Sequence, residues 1–201
     1  STPCVYSECT LDFLYTFITS RNWSPISSKG MLMTTFNTQY AAAEPPLRDA
    51  LKQFRDTHAE KTYVYKQQRW QYYDIGSDND HAILWLVGGL RMADAAFRSI
   101  PLMQPDFRII APSYPPIHSM VDMADGLNAI LKAEGVKQCS VLAGSFGGMI
   151  AQVFVRQHPK RVNKLILSTT TTPDITHTER YQQQRDMIAV SPEDLVMETA
   201  K

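Results

Sequence analysis

The chain is poor in the features that most directly announce a partner. Its 201 residues carry 20 Lys and Arg against 20 Asp and Glu. A balanced chain of this kind, with no basic stripe hidden in the average, offers no electrostatic case for nucleic acid or for an anionic membrane surface. Cysteine is scarce: of Cys4, Cys9 and Cys139, not all can pair, and Cys139 falls in an apolar stretch where a reduced thiol packs as a small hydrophobe. That favours a reducing compartment. No apolar run approaches the roughly 18 residues of a membrane span, and residues 11–18 lack the basic flank of a signal peptide. The glycines that are present do not form G-x-G-x-x-G, and no G-x-x-x-x-G-K-[ST] occurs, which removes dinucleotide and P-loop readings. No histidine and cysteine cluster has metal-ligand spacing. These absences predict a cytoplasmic protein without a cofactor or metal, with no membrane span and no nucleic-acid partner, acting on a small molecule.

What is there centres on one serine. Residues 141–150 read Val-Leu-Ala-Gly-Ser-Phe-Gly-Gly-Met-Ile, an apolar run that breaks at glycines and resumes with helical spacing. A serine hydroxyl that attacks a carbonyl must be held away from its own backbone, on a sharp strand-to-helix turn crowded by its neighbours. Ala143 two positions before Ser145 and Gly147 two after it relieve that crowding. Gly148 is expected to let the helix approach the sheet. With the helix opening at Phe146, the Phe146 N–H has no intrahelical partner and is free to face an oxyanion above Ser145. The bland alternative is a glycine-containing turn of a parallel sheet.

Around this turn the chain predicts one domain. Residues 1–45 have no sustained period and read as an extension outside the core. Leu47, Leu51 and Phe54 place a short amphipathic helix over 46–58, started by Pro45-Pro46. Residues 61–66 and 69–75 are aromatic and β-branched and read as an antiparallel hairpin turning at Gln67-Gln68. From there strands and helices alternate: a strand at 82–87, a helix over 92–103, a strand at 107–111, and a helix capped by Ser119 with Asp122 as its capping-box partner and Gly135 at its end. A strand at 139–143, the serine turn, a helix to Gln157 and a strand at 162–168 follow. The pattern is that of an open, mostly parallel sheet with helices on both faces, whose ligands bind at the carboxyl ends of the strands. Ser145 and Gly88-Gly89 are then predicted to face each other across one crevice.

This order of elements, with Val87-Gly88-Gly89 after one strand and Gly144-Ser145-Phe146-Gly147-Gly148 after another, resembles the α/β-hydrolase superfamily from about residue 61 onward. The resemblance implies an α/β-hydrolase fold with an N-terminal antiparallel hairpin. It implies Ser145 as nucleophile, Gly89 as the second oxyanion N–H beside that of Phe146, and hydrolysis of an ester or amide through an acyl-enzyme. Leu90, Met92 and Tyr114 are expected to line an apolar substrate crevice. Two departures matter. The family's usual histidine before the first glycine pair is Val87 here, and Pro112-Ser113-Tyr114-Pro115-Pro116 replaces the commoner Pro-Asp-x-x-Gly. The second, with Gly144-Ser145-Phe146-Gly147-Gly148, resembles a maspardin-like subgroup, and the two departures together keep open a non-catalytic binding or adaptor role with a protein partner.

The family's acid and histidine follow later strands than any seen here. Residues 46–172 are accordingly expected to be the N-terminal part of the core, 173–201 the start of a helical lid, and the sheet incomplete at the C-terminus. Among residues present, His158 is at the far end of the serine's own helix. His118, His177 and Asp174 are candidates by position, but each reads as a surface residue in preference to a catalytic one.

Overall fold

A computed structural model describes Phe36, Tyr40 and residues 43–172 apart from residue 118. Cys4, Cys9, His118, Asp174, His177 and the expected lid lie outside the described residues.

Helix α1, Pro45–Thr57, begins with its two prolines in the first turn, where a missing N–H costs nothing, and buries Leu51 and Phe54. Strands β1, Glu60–Tyr65, and β2, Gln68–Ile75, pair antiparallel with Tyr65 opposite Gln68. The hairpin therefore turns at Lys66-Gln67, one residue earlier than expected. Both turn residues take left-handed backbone angles, φ 46° and 64°, as a two-residue turn matched to the strand twist requires. Neither is the asparagine or glycine that would have marked it.

Strand β3, Ala82–Leu86, is followed not by the single helix expected over 92–103 but by a 3₁₀ turn, Ala93–Ala96, and a one-turn helix α2, Ile100–Met103. Pro101 is the cause. In a continuous helix its ring would meet the carbonyl of Phe97 and its absent N–H would break the ladder, so the chain restarts with proline in the first turn. Strand β4, Arg108–Ser113, continues past Pro112. That is tolerated because β3 pairs only with residues up to Ile110.

Helix α3, Met120–Ala133, carries the expected buried face at Met123, Ala124, Leu127, Ile130 and Leu131. The Asp122 N–H donates to Ser119 Oγ at 3.3 Å, while the Asp122 carboxylate accepts from Lys66 at 3.0 Å instead of closing the capping box. Gly135, at φ 69°, ends the helix. Strand β5, Cys139–Gly144, helix α4, Ser145–Gln157, and strand β6, Val162–Ser168, complete the described chain.

The sheet has six strands in the order β1-β2-β4-β3-β5-β6, antiparallel through β4 and parallel from β4 to β6. Alternation along β2 shows that helices cover both faces. A Cβ at Gly126 of α3 would lie 2.1 Å from the Trp70 ring, whereas Tyr73, three residues on and therefore on the opposite face, packs edge-on against Phe54 of α1 at 5.0 Å. Tyr40 is buried in the same core as Phe54. At the other edge Leu165, Ile166 and Leu167 are 38%, 52% and 40% exposed, so β6 is uncovered on both faces among the described residues.

One ion cluster pins the hairpin to the parallel sheet. The Arg108 guanidinium donates through Nε and a terminal nitrogen to the two oxygens of Asp74, at 2.9 and 3.0 Å, and Lys61 donates to Asp74 at 2.7 Å. Glu134 at the end of α3 accepts from Lys61 at 2.9 Å and from the Tyr72 hydroxyl at 2.6 Å. Burial alone would raise the Asp74 carboxyl, but the hydrogen bonds from Arg108 and Lys61 outweigh it and hold the group down, at about 2.

Because that value lies below the ordinary 3.8, Asp74 contributes stability that is fully present above about pH 4 and is lost as the pH falls through about 2. Asp74→Asn is expected to remove on the order of 2 kcal/mol at neutral pH and to flatten the stability profile between pH 4 and 2. Urea unfolding across that range measures both. A second test is Gly126→Ala, whose methyl would overlap the buried Trp70 ring; it is expected to cost roughly 1–3 kcal/mol.

Candidate functional site

Ser145 stands where β5 gives way to α4. It is exposed, and its backbone takes φ 49°. A left-handed angle is unusual for any residue but glycine, asparagine or aspartate, and costs of order 1 kcal/mol or more. Local packing sustains it. A Cβ at Gly147 would lie 2.4 Å from the carbonyl oxygens of both Leu86 and Val87, so the first turn of α4 is seated directly on the backbone leaving β3. The close approach expected of Gly148 is thus made by Gly147. Gly148 instead makes room for Thr170, whose side chain would lie 2.4 Å from an added Cβ.

Thr170 lies in the threonine run 169–172, for which the sequence supports a pocket-lining role and a capping or turn role equally. Its Oγ1 donates to the Ser145 carbonyl at 2.7 Å, and Gln152 of α4 donates to the neighbouring Thr171 carbonyl at 2.9 Å. The loop after β6 is thereby tied to the serine turn. A run of threonines after a strand was the only signal for this, and it fits many loops.

The two expected glycine turns do meet. An added Cβ at Gly88 would lie 3.4 Å from the Ser145 Cβ and 3.9 Å from its Oγ, while Gly89 has open space within 4 Å. No side chain caps the start of α4, so its first N–H groups, Phe146 among them, have no intrahelical acceptor. The Phe146 side chain is buried, with its ring 6.0 Å from that of Tyr114.

The residues expected to line the crevice are placed as follows. Leu90 and Met92 are half-buried. Tyr114 is 1% exposed, and its hydroxyl donates to the Val87 carbonyl at 2.9 Å. Met92 and Tyr114 border a cavity of about 530 Å³ whose other walls include Arg55, Glu60, Arg69 and Asp94. That cavity is charged rather than apolar, and Ser145 is not part of its lining. Its charges are partly committed: Arg55 donates to Asp94 and to the Tyr40 hydroxyl, the latter at 2.9 Å.

Sequence reasoning gave Arg91 no place. It is fully buried at φ 61°, and its guanidinium donates to the carbonyls of Pro115 at 2.8 Å and Tyr114 at 3.3 Å. A charged residue after two glycines reads as a solvated loop, so only the tertiary fold reveals it.

The described histidines stand apart from the serine. His158 follows α4, whose 13 residues span roughly 20 Å. Its Nε2 lies 3.2 Å from an Asp125 carboxylate oxygen, at ion-pair distance but off hydrogen-bond alignment. His58 contacts the Phe54 carbonyl and the Gln104 side chain, each at 2.9 Å. Cys139 is buried, and burial pushes its thiol up to about 11, which leaves it an unreactive core residue. Among the described residues no group of His, Cys, Asp and Glu is arranged to hold a metal, and no helix is long and apolar enough to cross a membrane.

Residues 98–187 match the family model described as the alpha/beta hydrolase fold. No curated protein matches the chain. Solved structures do. Cfl2 from Burkholderia cenocepacia is 22% identical with a TM-score of 0.55, over 59% of this chain and 43% of its own. The carboxylesterase CesB from Bacillus subtilis is 16% identical with a TM-score of 0.55, over 68% of this chain and 53% of its own. The epoxide hydrolase CorEH is 18% identical with a TM-score of 0.52, over 56% of this chain and 42% of its own. The chain thus spans about half, or less, of the length of these structures. Similarity at this level is similarity of fold.

Gly147→Ala is expected to be the most damaging small substitution at the turn, because its methyl meets backbone and not a movable side chain; a loss of roughly 2–3 kcal/mol follows. Gly148→Ala meets only the Thr170 side chain and should cost less, about 1 kcal/mol. Equilibrium urea unfolding of the two variants checks the order.

Proposed function

We propose that the chain is a member of the α/β-hydrolase-fold superfamily, whose model its residues 98–187 match, and that it is a serine hydrolase of small esters or amides, with Ser145 as nucleophile. The observation that carries this reading is the strained serine itself: an exposed hydroxyl on a residue at φ 49°, between strand and helix, with Gly88 against it and nothing crowding Gly89. Strain of this kind persists where surrounding structure enforces it, and it clusters at sites of chemistry.

In this mechanism the Ser145 Oγ attacks the substrate carbonyl as a base takes its proton. The N–H groups of Phe146 and Gly89 donate to the developing oxyanion. The alcohol or amine leaves with a proton, and water then hydrolyses the acyl-enzyme. No described histidine stands beside Ser145, so the reading assigns the general base, and the acid that orients it, to residues outside those described. An intracellular setting fits the reduced Cys139. The maspardin-like alternative, a binding protein that keeps the turn without the chemistry, draws its support from Val87 in the place of the family's histidine.

Labelling of the full-length protein with a serine-directed fluorophosphonate tests the reading. The expected result is stoichiometric label that Ser145→Ala abolishes while thermal unfolding shows that the variant stays folded. Absence of label on the folded parent protein would favour the binding role.

A further inference from the structure

The peptide between Gly88 and Gly89 is held in one orientation. The Gly88 carbonyl accepts from the Arg91 N–H at 3.0 Å, closing a four-residue turn. In a trans peptide the N–H points opposite to the carbonyl. With no cis bond among the described residues, the Gly89 N–H is therefore directed away from the turn's interior, and a Cβ at Gly89 would meet nothing within 4 Å. The direction of this donor depends on whatever fixes Val87 and Arg91 at either end of the turn.

Both ends are fixed by the loop after β4. At one end the Tyr114 hydroxyl donates to the Val87 carbonyl at 2.9 Å, the same carbonyl on which Gly147 of α4 is seated. At the other, the Arg91 carbonyl accepts from the Tyr114 N–H at 2.9 Å, and the buried Arg91 guanidinium donates to the Tyr114 and Pro115 carbonyls. Arg91 holds its left-handed angle of 61° within this clamp. The Tyr114 ring also packs toward Phe146, the residue that bears the other donor.

We propose that Arg91 and Tyr114 are positioning residues, which act through the Val87 and Gly88 carbonyls to aim the Gly89 N–H at the oxyanion site beside Ser145. The proposal rests on the serine-hydrolase reading above. It explains the unusual Pro112-Ser113-Tyr114-Pro115-Pro116 segment as a rigid loop whose carbonyls and tyrosine brace the neighbouring turn. It also accounts for a tyrosine hydroxyl and a whole guanidinium withdrawn from solvent next to a candidate site without facing it.

Tyr114→Phe is the sharpest test, because it keeps the ring against Phe146 and removes only the bond to Val87. Fluorophosphonate labelling of the full-length protein is followed as a function of probe concentration, since the phosphonyl oxygen takes the place of the oxyanion. The expected result is a rate constant at saturating probe about tenfold lower, with half-saturation within about twofold and an unchanged amount of label at completion, as a misaimed donor predicts. A merely structural role would lower the amount labelled and leave the rate constant of the folded fraction alone. Ser113→Ala, which removes the bond from the Ala93 N–H at 2.9 Å, is the control and should stay within about twofold on every measure.

Equal rate constants for Tyr114→Phe and Ser113→Ala would overturn the proposal. If Tyr114→Phe does not fold, Arg91→Lys is judged by the same criterion; failure of both to fold, with Ser113→Ala folded, would also overturn it. A folded parent protein that takes no label would overturn the hydrolase reading and this one with it, whereas a parent that labels normally beside an unaltered Tyr114→Phe overturns this one alone.

Discussion

The seating of α4 on the end of β3 is the contact on which the rest of the site depends. Gly147 brings its backbone against the carbonyls of Leu86 and Val87 at a distance that excludes any side chain. That contact fixes where the helix begins, and so holds Ser145 in a left-handed conformation that a free chain would leave. It also brings Gly88 within van der Waals reach of the serine. Because the packed backbone has no slack, the turn after β3 and the turn after β5 behave as one rigid piece.

Two loops then brace that piece from outside. The one after β6 does so through Thr170, bonded to the Ser145 carbonyl. The one after β4 does so through Tyr114 and the buried Arg91. In each case the donor is a side chain and the acceptor a backbone carbonyl, that of Ser145 in the first turn of α4 or those just past the ends of β3 and β4. Buried carbonyls need partners, and here the need is met by residues that also set the backbone's direction. The charged cavity beside Met92 and the Asp74–Arg108 cluster belong to the hairpin side of the molecule, where they join β1, β2 and α1 to the parallel sheet.

Much of this was legible in residue order. Small side chains at 143, 147 and 148 around one serine, an apolar strand before it and an apolar helix after it, specify a strand-turn-helix unit whatever the rest of the chain does. The alternation from β3 onward gave the parallel sheet, and aromatic alternation in residues 61–75 gave the hairpin. The misses have local physical causes. The hairpin turn fell on Lys66-Gln67, which adopt left-handed angles without the residues that advertise them. The helix over 92–103 was divided by Pro101, whose effect on the preceding turn outweighed a favourable apolar spacing.

The sequence by itself determined the order of elements and the place of the serine, because periodicity and glycine placement act over a few residues and need no distant partner. Tertiary structure decided which glycine touches the sheet, which threonine reaches the serine carbonyl, and that Arg91 is buried. These are contacts between segments separated by more than 20 residues, such as Arg91 with Pro115 and Thr170 with Ser145. No local pattern encodes such pairs. They exist only once strand order has brought the ends of β3, β4, β5 and β6 to one edge of the sheet, where unpaired carbonyls select the side chains that can satisfy them.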